Sequence, residues 1–246
     1  MKVATWNLDY RNTDEIRGHM RSRPADVWVL TETRATISPC NDDYKRIVCS
    51  PPHGLRNGRP DGCFVAIWVR RDCLTAGWKV TNVPVLLAHA LRMACVRIKQ
   101  PGRRDITVVG TVLPWRSDPQ WSGAVGFCAA LAAQEVEWHH LWADPTAGFC
   151  VAGDFNQSLP FVHPYGTKLG AAALSNTLDS PSHRLRCLTG YEHDPRLLVA
   201  NNTPSIDHIC VSDALQQVGP VDCWSEERYI NGPNGHAGVL AELQIH

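Results

Sequence analysis

Short β-rich runs separated by turn residues are the feature that most restricts how this chain of 246 residues can fold. Clusters of Gly, Pro and Asn, such as PPHGLRNGRPDG, separate the runs. β-branched and aromatic residues favour strands, whereas Gly, Pro and Asn favour turns. The sequence therefore predicts a sheet-rich protein, with strands at KVATWNL, DVWVLTET, YKRIVCS, CFVAIWV, LRMACVRI, DITVVGTVL, GFCVAGDF, IDHICVS and GVLAELQI.

Two segments show helical spacing instead. The first is predicted to start at Asn12 as its N-cap, to bury Ile16 and Met20, and to stop before Pro24. The second is predicted to run from about Gly123 to Trp142. Its apolar residues recur near the helical period and predict a buried face of Val125, Cys128, Leu131, Ala132, Val136 and Trp142. Helices among such strands favour a mixed α/β structure with helices outside the sheet.

Composition limits the class of protein. Apolar residues make up 44% and charged residues 20%, as in soluble globular proteins. Lys plus Arg and Asp plus Glu balance at 24 each, which excludes a global positive field that would attract nucleic acid but leaves a local basic rim open. No linker or low-complexity segment interrupts the chain, so we expect one domain over residues 1–246.

Targeting signals and cysteines favour a cytoplasmic location. The stretch MKVATWNLDY lacks the apolar core of a signal peptide, and His89 and Arg92 interrupt the longest apolar tract, so we expect no membrane insertion. The ten cysteines form no CxxC pair. We predict buried free thiols in a reducing compartment for those in predicted strands, Cys49, Cys63, Cys95, Cys150 and Cys210.

Polar side chains recur where the predicted strands end, which is where α/β proteins present their chemistry. Each residue alone has an ordinary structural explanation, such as a turn or a hydrogen-bonded loop histidine; GDFN itself can be a strand-to-loop turn. Their recurrence in order along the chain is harder to attribute to chance. The set comprises Asn7, Asp9, Glu32, Asp154, Asn156, Asp207 and His236.

The ordered motifs WNLD, LTET, GDFN, IDHI and a final GH resemble the endonuclease/exonuclease/phosphatase superfamily. They extend from Asn7 to His236, so the resemblance covers essentially the whole chain. It implies a deoxyribonuclease I-like fold, which is a four-layer α/β/β/α sandwich of two packed mixed β-sheets flanked by helices. It also implies hydrolysis of phosphate esters with Mg²⁺, for which Mn²⁺ is a plausible substitute.

The resemblance also implies a metal site. Glu32 would be the main Mg²⁺ ligand, since Mg²⁺ prefers hard carboxylate oxygens and takes one or two of them from the protein. Asp9 would face the metal directly or through water. Asn7 would hold the metal or a phosphate oxygen without adding negative charge.

Four further residues receive catalytic roles from the resemblance. Asp154 would act on the attacking water, and Asn156 would orient that water or the phosphate. In an extended backbone their side chains would point the same way, with Phe155 directed into the opposite layer. His236 would stabilise the scissile phosphate or protonate the leaving group, and Asp207 would keep the imidazole charged and oriented.

Two positions depart from the family pattern. The family usually closes with Ser-Asp-His, whereas this chain has Gly235 before His236, so an acidic residue near the metal is missing. Val112 stands where the family tends to place His or Tyr. The first departure bears on metal affinity and the second on phosphate contacts.

Aromatic and arginine side chains in two loops are candidate substrate contacts: Arg56, Arg59, Trp115 and Arg116. Such residues can stack bases and contact phosphates, although solvated loops with packing tryptophans are the alternative. We expect a phosphodiesterase that acts on DNA or another nucleic acid, with no obligate protein partner. A phosphomonoesterase for a small phosphorylated metabolite or lipid headgroup, and a catalytically impaired binding protein, remain open.

Overall fold

Two large β-sheets with flanking helices form the structure. A computed structural model describes residues 1–34, 36, 38–39, 41–52, 62–86, 92–159, 166–181, 184–190, 198–199, 203–224 and 236–245. The helices in this part of the chain are α1 (Asp14–Ser22), α2 (Arg71–Thr75), α3 (Gly123–Leu141) and α4 (Lys168–Leu178). A single 3₁₀ turn occupies Asn41–Asp43.

The first sheet has seven strands, which are β1 (Lys2–Asn7), β2 (Val27–Arg34), β3 (Tyr44–Cys49), β4 (Gly62–Arg70), β13 (Leu215–Gln217), β14 (Asp222–Cys223) and β15 (Val239–Ile245). Their order is β13-β15-β1-β2-β4-β3, and β14 also pairs with β15. Strands β1 and β2 are parallel, whereas β15 runs antiparallel to β1. The carboxyl ends of β1 and β2 therefore lie beside the start of β15, at the same end of the sheet.

The second sheet has six strands, which are β5 (Lys79–Val83), β6 (Met93–Lys99), β7 (Ile106–Val112), β8 (Gly148–Asp154), β9 (Leu185–Cys187) and β12 (Asp207–Ser212). Their order is β5-β6-β7-β8-β12-β9, with β7 and β8 parallel. Strands β10 (Leu198–Val199) and β11 (Thr203–Pro204) form a separate two-stranded ribbon.

The molecule has four layers, and an apolar core lies between each layer and the next. The inner faces of the two sheets pack against each other through residues such as Val29, Ile67 and Val108. The outer face of the first sheet packs against α1, and the outer face of the second packs against α3 and α4. Alternate residues of each strand thus serve different cores, as the pleat of a strand requires. The predicted α/β/β/α sandwich is confirmed.

All nine predicted strands are present. The sequence did not predict α4, β5 or the shortest strands. For the shortest strands the reason is that segments of a few residues carry too little periodicity to be recognised. The described part of the chain contains no helix with the length and apolar character that crossing a membrane requires. Cytoplasmic location and a single domain stay predictions.

The N-cap predicted for α1 was one residue too early. Thr13 is the N-cap, and its Oγ1 accepts a hydrogen bond from the Ile16 backbone N–H at 3.2 Å. The Asn12 side chain instead accepts a bond from the Arg17 guanidinium at 2.7 Å. Both residue types can cap a helix, so the sequence did not distinguish them. The predicted burial of Ile16 and Met20 is confirmed.

The face of α3 that contacts the core also differs from the prediction. Val125 and Val136 are 77% and 64% exposed. The buried side chains are Phe127, Ala130, Leu131, Gln134, Glu137, Trp138 and Leu141. Gln134 accepts a hydrogen bond from Thr111, and Glu137 accepts one from a backbone N–H. Leu131 is buried and Cys128 and Trp142 pack against the core, so the predicted face is confirmed in part. Spacing of apolar residues did not identify the buried Gln134 and Glu137, because polar residues do not contribute to an apolar stripe.

The described cysteines are free thiols, as predicted. Cys63, Cys95, Cys150 and Cys210 are buried, while Cys49 is partly exposed. Most of them behave as small apolar side chains within the cores.

Candidate active site

The predicted site residues converge at one end of the sandwich, where the two sheets meet. Asn7 ends β1 in the first sheet, and Asp154 ends β8 in the second. The Asn7 side-chain N–H donates to Asp154 Oδ2 at 2.9 Å, so a hydrogen bond joins the sheets. Asp207 begins β12 directly opposite Asp154. His236 lies three residues before the start of β15, which pairs with β1.

Asp154 is the most constrained carboxylate of the site. It is 1% exposed. Its Oδ1 accepts from the Asn156 backbone N–H at 2.8 Å, and its Oδ2 accepts from the Asn156 and Asn7 side-chain amides at 2.9 Å. Three donors on two segments therefore fix the orientation of both oxygens.

The charge of Asp154 is finely balanced. Burial raises its pKa to about 7, His236 opposes the shift, and the negative charges of Asp207 and Glu32 add to it. Glu32 therefore acts electrostatically on the same group even though it comes from the other sheet. A carboxylate with a pKa near neutrality is suited to accepting a proton from water.

His236 is held as a cation by its neighbours. Its Nδ1 donates to Asp207 Oδ2 at 2.7 Å. Burial alone would lower the pKa of His236, but Asp207 and Asp154, followed by Glu32, raise it to about 10. The imidazole is thus protonated at neutral pH and can neutralise a phosphate oxygen or give a proton to a leaving group.

The carboxylates form a candidate cation site. Ligand atoms of Asp154, Asp207 and His236 lie within 4.8 Å of one another. Asp207 Oδ1 is buried and has no hydrogen-bond partner among the described residues. Because His236 is protonated and bonded to Asp207, the oxygens are better metal ligands than the imidazole. A divalent cation would relieve the repulsion among Asp154, Asp207 and Glu32, so the residues present fit a hard metal ion.

A family model matches residues 4–229 of the chain, and its description is Endonuclease/Exonuclease/phosphatase family. The chain belongs to this family. It is accordingly a metal-dependent phosphoesterase, with a candidate metal site at Asp154, Asp207 and His236. No curated protein is similar enough in sequence to match it.

Three solved structures share this fold at low sequence identity. The human Nocturnin catalytic domain with bound sulfate is 16% identical, with a TM-score of 0.65, and the match covers 100% of this chain and 94% of that one. The endonuclease domain of TRAS1, a telomere-specific non-LTR retrotransposon, is 13% identical, with a TM-score of 0.66 and coverage of 99% and 98%. A mannosyl-6-phosphatase from Bacteroides thetaiotaomicron VPI-5482 is 16% identical, with a TM-score of 0.60 and 100% of both chains covered. At these identities the likeness shows the fold alone.

Backbone strain marks the family site. Asp9, Glu32 and Asn156 adopt positive φ angles of 45°, 40° and 50°. Such angles are uncommon outside glycine and cluster at functional sites. At Glu32 the strain interrupts regular β2–β4 pairing, which resumes on either side at Thr31 and Thr33. The Glu32 carboxylate is close enough to Asp154 to raise the pKa of that group.

The geometry of GDFN differs from the extended form that the sequence predicted. Asp154 and Asn156 do come together, but through the left-handed turn at Asn156 rather than through strand alternation. The Asn156 amide also donates to the Leu113 carbonyl at 2.9 Å, which fixes the turn. Phe155 points into the helix-side core, as predicted.

Asn7 and Asp9 hold different places in the site. Asn7 donates to Asp154 and accepts at Oδ1 from the Asp9 backbone N–H at 2.9 Å, so its amide positions the Asp154 carboxylate and the turn that follows β1. The Asp9 carboxylate is 45% exposed and lies 3.5 Å from Arg11, apart from the cluster of Asp154. Metal binding by Asn7 and Asp9 stays a prediction.

Trp6 is a site residue that the sequence analysis did not assign. Its indole N–H donates to the His236 backbone carbonyl at 2.9 Å. The ring is fully buried and meets Trp224 edge-to-face at 5.7 Å. Trp6 therefore anchors the segment that carries the histidine. The available signal was its position directly before Asn7 in a motif that the family resemblance already singled out.

Arg92 was also missed, having been noted only as an interruption of an apolar tract. Its Nη2 donates to Asp118 at 2.6 Å, and its guanidinium packs 4.7 Å from the Phe64 ring and 5.5 Å from the Trp115 ring. Nη1 is buried without a partner in the described part of the chain. The backbone carbonyl of Arg92 accepts a hydrogen bond from the Val112 N–H at 2.9 Å. Val112 in turn pairs with Asp154 in the neighbouring strand.

The remaining predicted contacts have mixed outcomes. Trp115 is half-buried beside Arg92, and Arg116 is exposed. Arg56, Arg59 and Gly235 lie outside the described residues. Val112 is completely buried, so it offers no polar group in place of the family's His or Tyr.

Proposed function

We propose that this chain is a Mg²⁺-dependent phosphodiesterase that acts on nucleic acid. The observation that carries the proposal is the pairing of Asp154, with its pKa near 7, and a cationic His236 within one small cluster. Groups whose pKa values are pushed apart by their environment are typical of an acid–base pair.

The residues divide the reaction between them. Asp154 takes a proton from a water that attacks phosphorus, while Asn7 and Asn156 keep the carboxylate aimed. As the bond from phosphorus to the leaving oxygen breaks, that oxygen receives a proton from His236. Asp207 holds the imidazole in place throughout.

Mg²⁺ is the cation that suits this donor set. Asp207 and Glu32, with Asp154, offer hard oxygens, and Asp207 Oδ1 has no other described partner. The bound cation would withdraw negative charge from the phosphate oxygens. Mn²⁺ accepts similar ligands and is expected to substitute.

Nucleic acid is favoured by the stack around Arg92. Trp115 presents a partly exposed ring beside the guanidinium, and Arg116 follows it at the surface. Base stacking on such a ring tolerates any sequence, and a neighbouring cation contacts the phosphate. Arg92 Nη1 is a buried donor without a partner in the described part of the chain, so it is available to a phosphate oxygen.

A phosphomonoesterase is the second candidate. The balance of 24 basic and 24 acidic residues gives no overall field to attract a polyanion. A small phosphorylated metabolite or lipid headgroup needs only the local charges of the site.

The test is a substrate panel with purified protein in Mg²⁺, Mn²⁺ or EDTA. It comprises bis(4-nitrophenyl) phosphate, 4-nitrophenyl phosphate, and labelled single- and double-stranded DNA and RNA. We expect metal-dependent turnover of diesters and nucleic acid, lost in Asp154→Asn. Asp144→Asn, at an exposed carboxylate near the opposite end of β8, is the matched control and should keep full activity. Turnover of the monoester alone would support the second candidate and refute the first.

Trp115→Ala separates nucleic acid from small diesters. Loss of stacking should raise KM for single-stranded nucleic acid about tenfold, with little change for bis(4-nitrophenyl) phosphate. Trp121→Ala, at another half-buried tryptophan, is the matched control. Equal effects of both variants on nucleic acid would contradict stacking at Trp115.

A further inference from the structure

Two cysteines and a histidine meet on the outer face of the second sheet. Cys187 in β9 and Cys210 in β12 are direct cross-strand partners. His208 lies two residues before Cys210 and so shares its face, opposite to that of Asp207. We call Cys187, Thr189, His208 and Cys210 the thiol cluster. It lies on the opposite face of β12 from the active site.

The strand register suits a disulfide. The Leu188 N–H donates to the Ile209 carbonyl at 2.8 Å, which makes that pair hydrogen-bonded and the adjoining Cys187–Cys210 pair non-hydrogen-bonded. In non-hydrogen-bonded pairs the Cα atoms are about 4.5 Å apart and the side chains are closest. That separation falls within the range that a disulfide spans, about 4.4–6.8 Å. Both residues are free thiols in this structure.

The two thiols differ in access. Cys187 is partly exposed and lines a surface pocket of about 520 Å³, together with Leu159, Ser175 and Arg186. Cys210 is completely buried. A reagent from solvent can therefore reach Cys187, while Cys210 is positioned to react only with its neighbour.

His208 lies within contact distance of the Cys187 sulfur. Its Nε2 donates to the Gln157 carbonyl at 2.9 Å, so Nδ1 is the ring nitrogen that faces the thiol cluster. Nδ1 lies 3.6 Å from Cys187 Sγ and 3.0 Å from Thr189 Oγ1. The imidazole and the Thr189 hydroxyl therefore give the Cys187 sulfur polar neighbours within the cluster.

The electrostatics of the cluster agree with this geometry. A hydrogen bond from Cys210 lowers the pKa of Cys187, burial opposes the shift, and His208 adds to it. Burial raises the pKa of Cys210. By contrast, burial raises the pKa of the core thiols Cys95 and Cys150 to about 12.

We propose that Cys187 is a peroxide-reactive thiol and that Cys210 captures its oxidised form as a disulfide. The Cys187 thiolate attacks one oxygen of hydrogen peroxide, the O–O bond breaks, and the departing hydroxide takes a proton from solvent to become water. The sulfenic acid on Cys187 is then attacked by Cys210, its S–O bond breaks, and a second water leaves. The two thiols lose two electrons, and one peroxide gains them.

The first experiment measures alkylation of the reduced protein at pH 7 by peptide mass spectrometry. Cys187 should react about tenfold faster than Cys128, because the thiolate is the nucleophile and the hydrogen bond from Cys210 favours the thiolate of Cys187. Cys128 is the matched comparison, since it is also partly exposed but lies on α3. A rate no greater than that of Cys128 would overturn the proposal.

The second experiment adds hydrogen peroxide, blocks the remaining thiols and maps the cross-links. We expect the Cys187–Cys210 disulfide before any other. In Cys210→Ser the sulfenic acid on Cys187 should persist and be trapped by dimedone, whereas Cys187→Ser should leave Cys210 unmodified. If a variant fails to fold, the wild-type cross-link map and alkylation rates decide.

Cys49 is the internal competitor. A hydrogen bond with Cys63 lowers its pKa to about 6, with burial opposing. Its cross-strand partner is Ala66 rather than Cys63, so this pair lacks the register that favours a disulfide. A Cys49–Cys63 cross-link that forms first would overturn the proposal.

Discussion

Asp154 and His236 show how single residues are given different proton states within one small cluster. Burial raises the pKa of Asp154 to about 7, whereas the surrounding carboxylates outweigh the effect of burial on His236 and raise its pKa to about 10. Asp207 raises the pKa of both residues, because its negative charge disfavours a charge on Asp154 and stabilises the positive charge on His236. The same carboxylate therefore favours a proton acceptor at Asp154 and a proton donor at His236.

The His236–Asp207 pair should act as a unit. His236→Gln should lower kcat about 10²–10⁴-fold, since it removes the cation and the proton donor. Asp207→Asn should also lower kcat, and the double variant should be little worse than His236→Gln. Steady-state kinetics on the best diester of the panel measures this, with circular dichroism to verify folding. Fully additive losses would show that Asp207 does not act through the imidazole.

Trp6 offers a sharper test of positioning. Trp6→Phe keeps an aromatic ring but removes the hydrogen bond to the His236 carbonyl, so kcat should fall about tenfold, the equivalent of about 1.4 kcal/mol. Trp28→Phe is the matched control, because Trp28 is equally buried, also packs on Trp224, and its indole N–H has no partner among the described residues. Equal loss of activity in both variants would reduce the role of Trp6 to packing.

At the scale of elements, β8 brings Asp154 into the site because the backbone of Gly153, the residue directly before Asp154, is unusual. Gly153 has a φ of 147° and passes so close to β7 that a Cβ would overlap the Thr111 carbonyl oxygen. The same crowding applies at Gly110 of β7, where a Cβ would meet Val29 and Val65 of the facing sheet. Glycine thus allows the strands and sheets to approach closely enough to bring Asp154 to Asn7.

Gly153→Ala should consequently destabilise the protein by about 3–5 kcal/mol, because backbone must move to remove the overlap. Gly102→Ala is the matched control. It has a φ of 68° but open space around the added Cβ, so only the backbone conformation opposes it, at about 1–2 kcal/mol. Chemical denaturation measures both; equal losses would refute the steric argument.

At the scale of the whole molecule, the site depends on the packing of one sheet against the other. Asn7 and Glu32 come from the first sheet, and Asp154 and Asp207 from the second. The repulsion among the three carboxylates acts across this junction. A cation bound there stabilises the folded chain, since no preformed site exists in the unfolded one.

Mg²⁺ should raise Tm, and by more at pH 8 than at pH 6. The pKa of Asp154 in the metal-free fold is about 7, above its ordinary 3.8. The metal-free protein therefore loses stability as the pH rises from the ordinary pKa to the raised one. Mg²⁺ binds the charged form and must displace a proton at pH 6. At a concentration 100 times Kd the stabilisation is about 2.7 kcal/mol. Differential scanning calorimetry with Mg²⁺ or EDTA measures it.

Asp154→Asn is the control for this linkage. The variant has no titrating group at position 154. Without metal, it should therefore not show the loss of stability that Asp154 causes in the wild type between pH 6 and pH 8. Any remaining Mg²⁺ effect should be similar at pH 6 and pH 8. A wild-type shift that is independent of pH would separate metal binding from Asp154.

The sequence predicted which candidate site residues come together but not the reasons for their geometry. It identified them because they lie at the ends of short apolar runs in a recognisable order: Asn7, Glu32, Asp154, Asn156, Asp207 and His236, with Asp9 as a seventh that pairs with Arg11 instead. Local patterns did not predict the left-handed turn at Asn156 or the positive φ at Glu32, because strain of this kind is imposed by packing. Nor did they predict that Gln134 and Glu137 lie on the buried side of α3.

By itself, then, the sequence determined nine of the strands, helices α1 and α3, and the motifs that define the family. These are local properties, set by the preferences of neighbouring residues. The tertiary structure alone decided that Trp6 would hold His236 across 230 residues, that Arg92 would lie between two aromatic rings, and that Cys187 would face Cys210. Proton states and contacts of this kind depend on distances and burial between remote segments, which exist only once the sheets have packed.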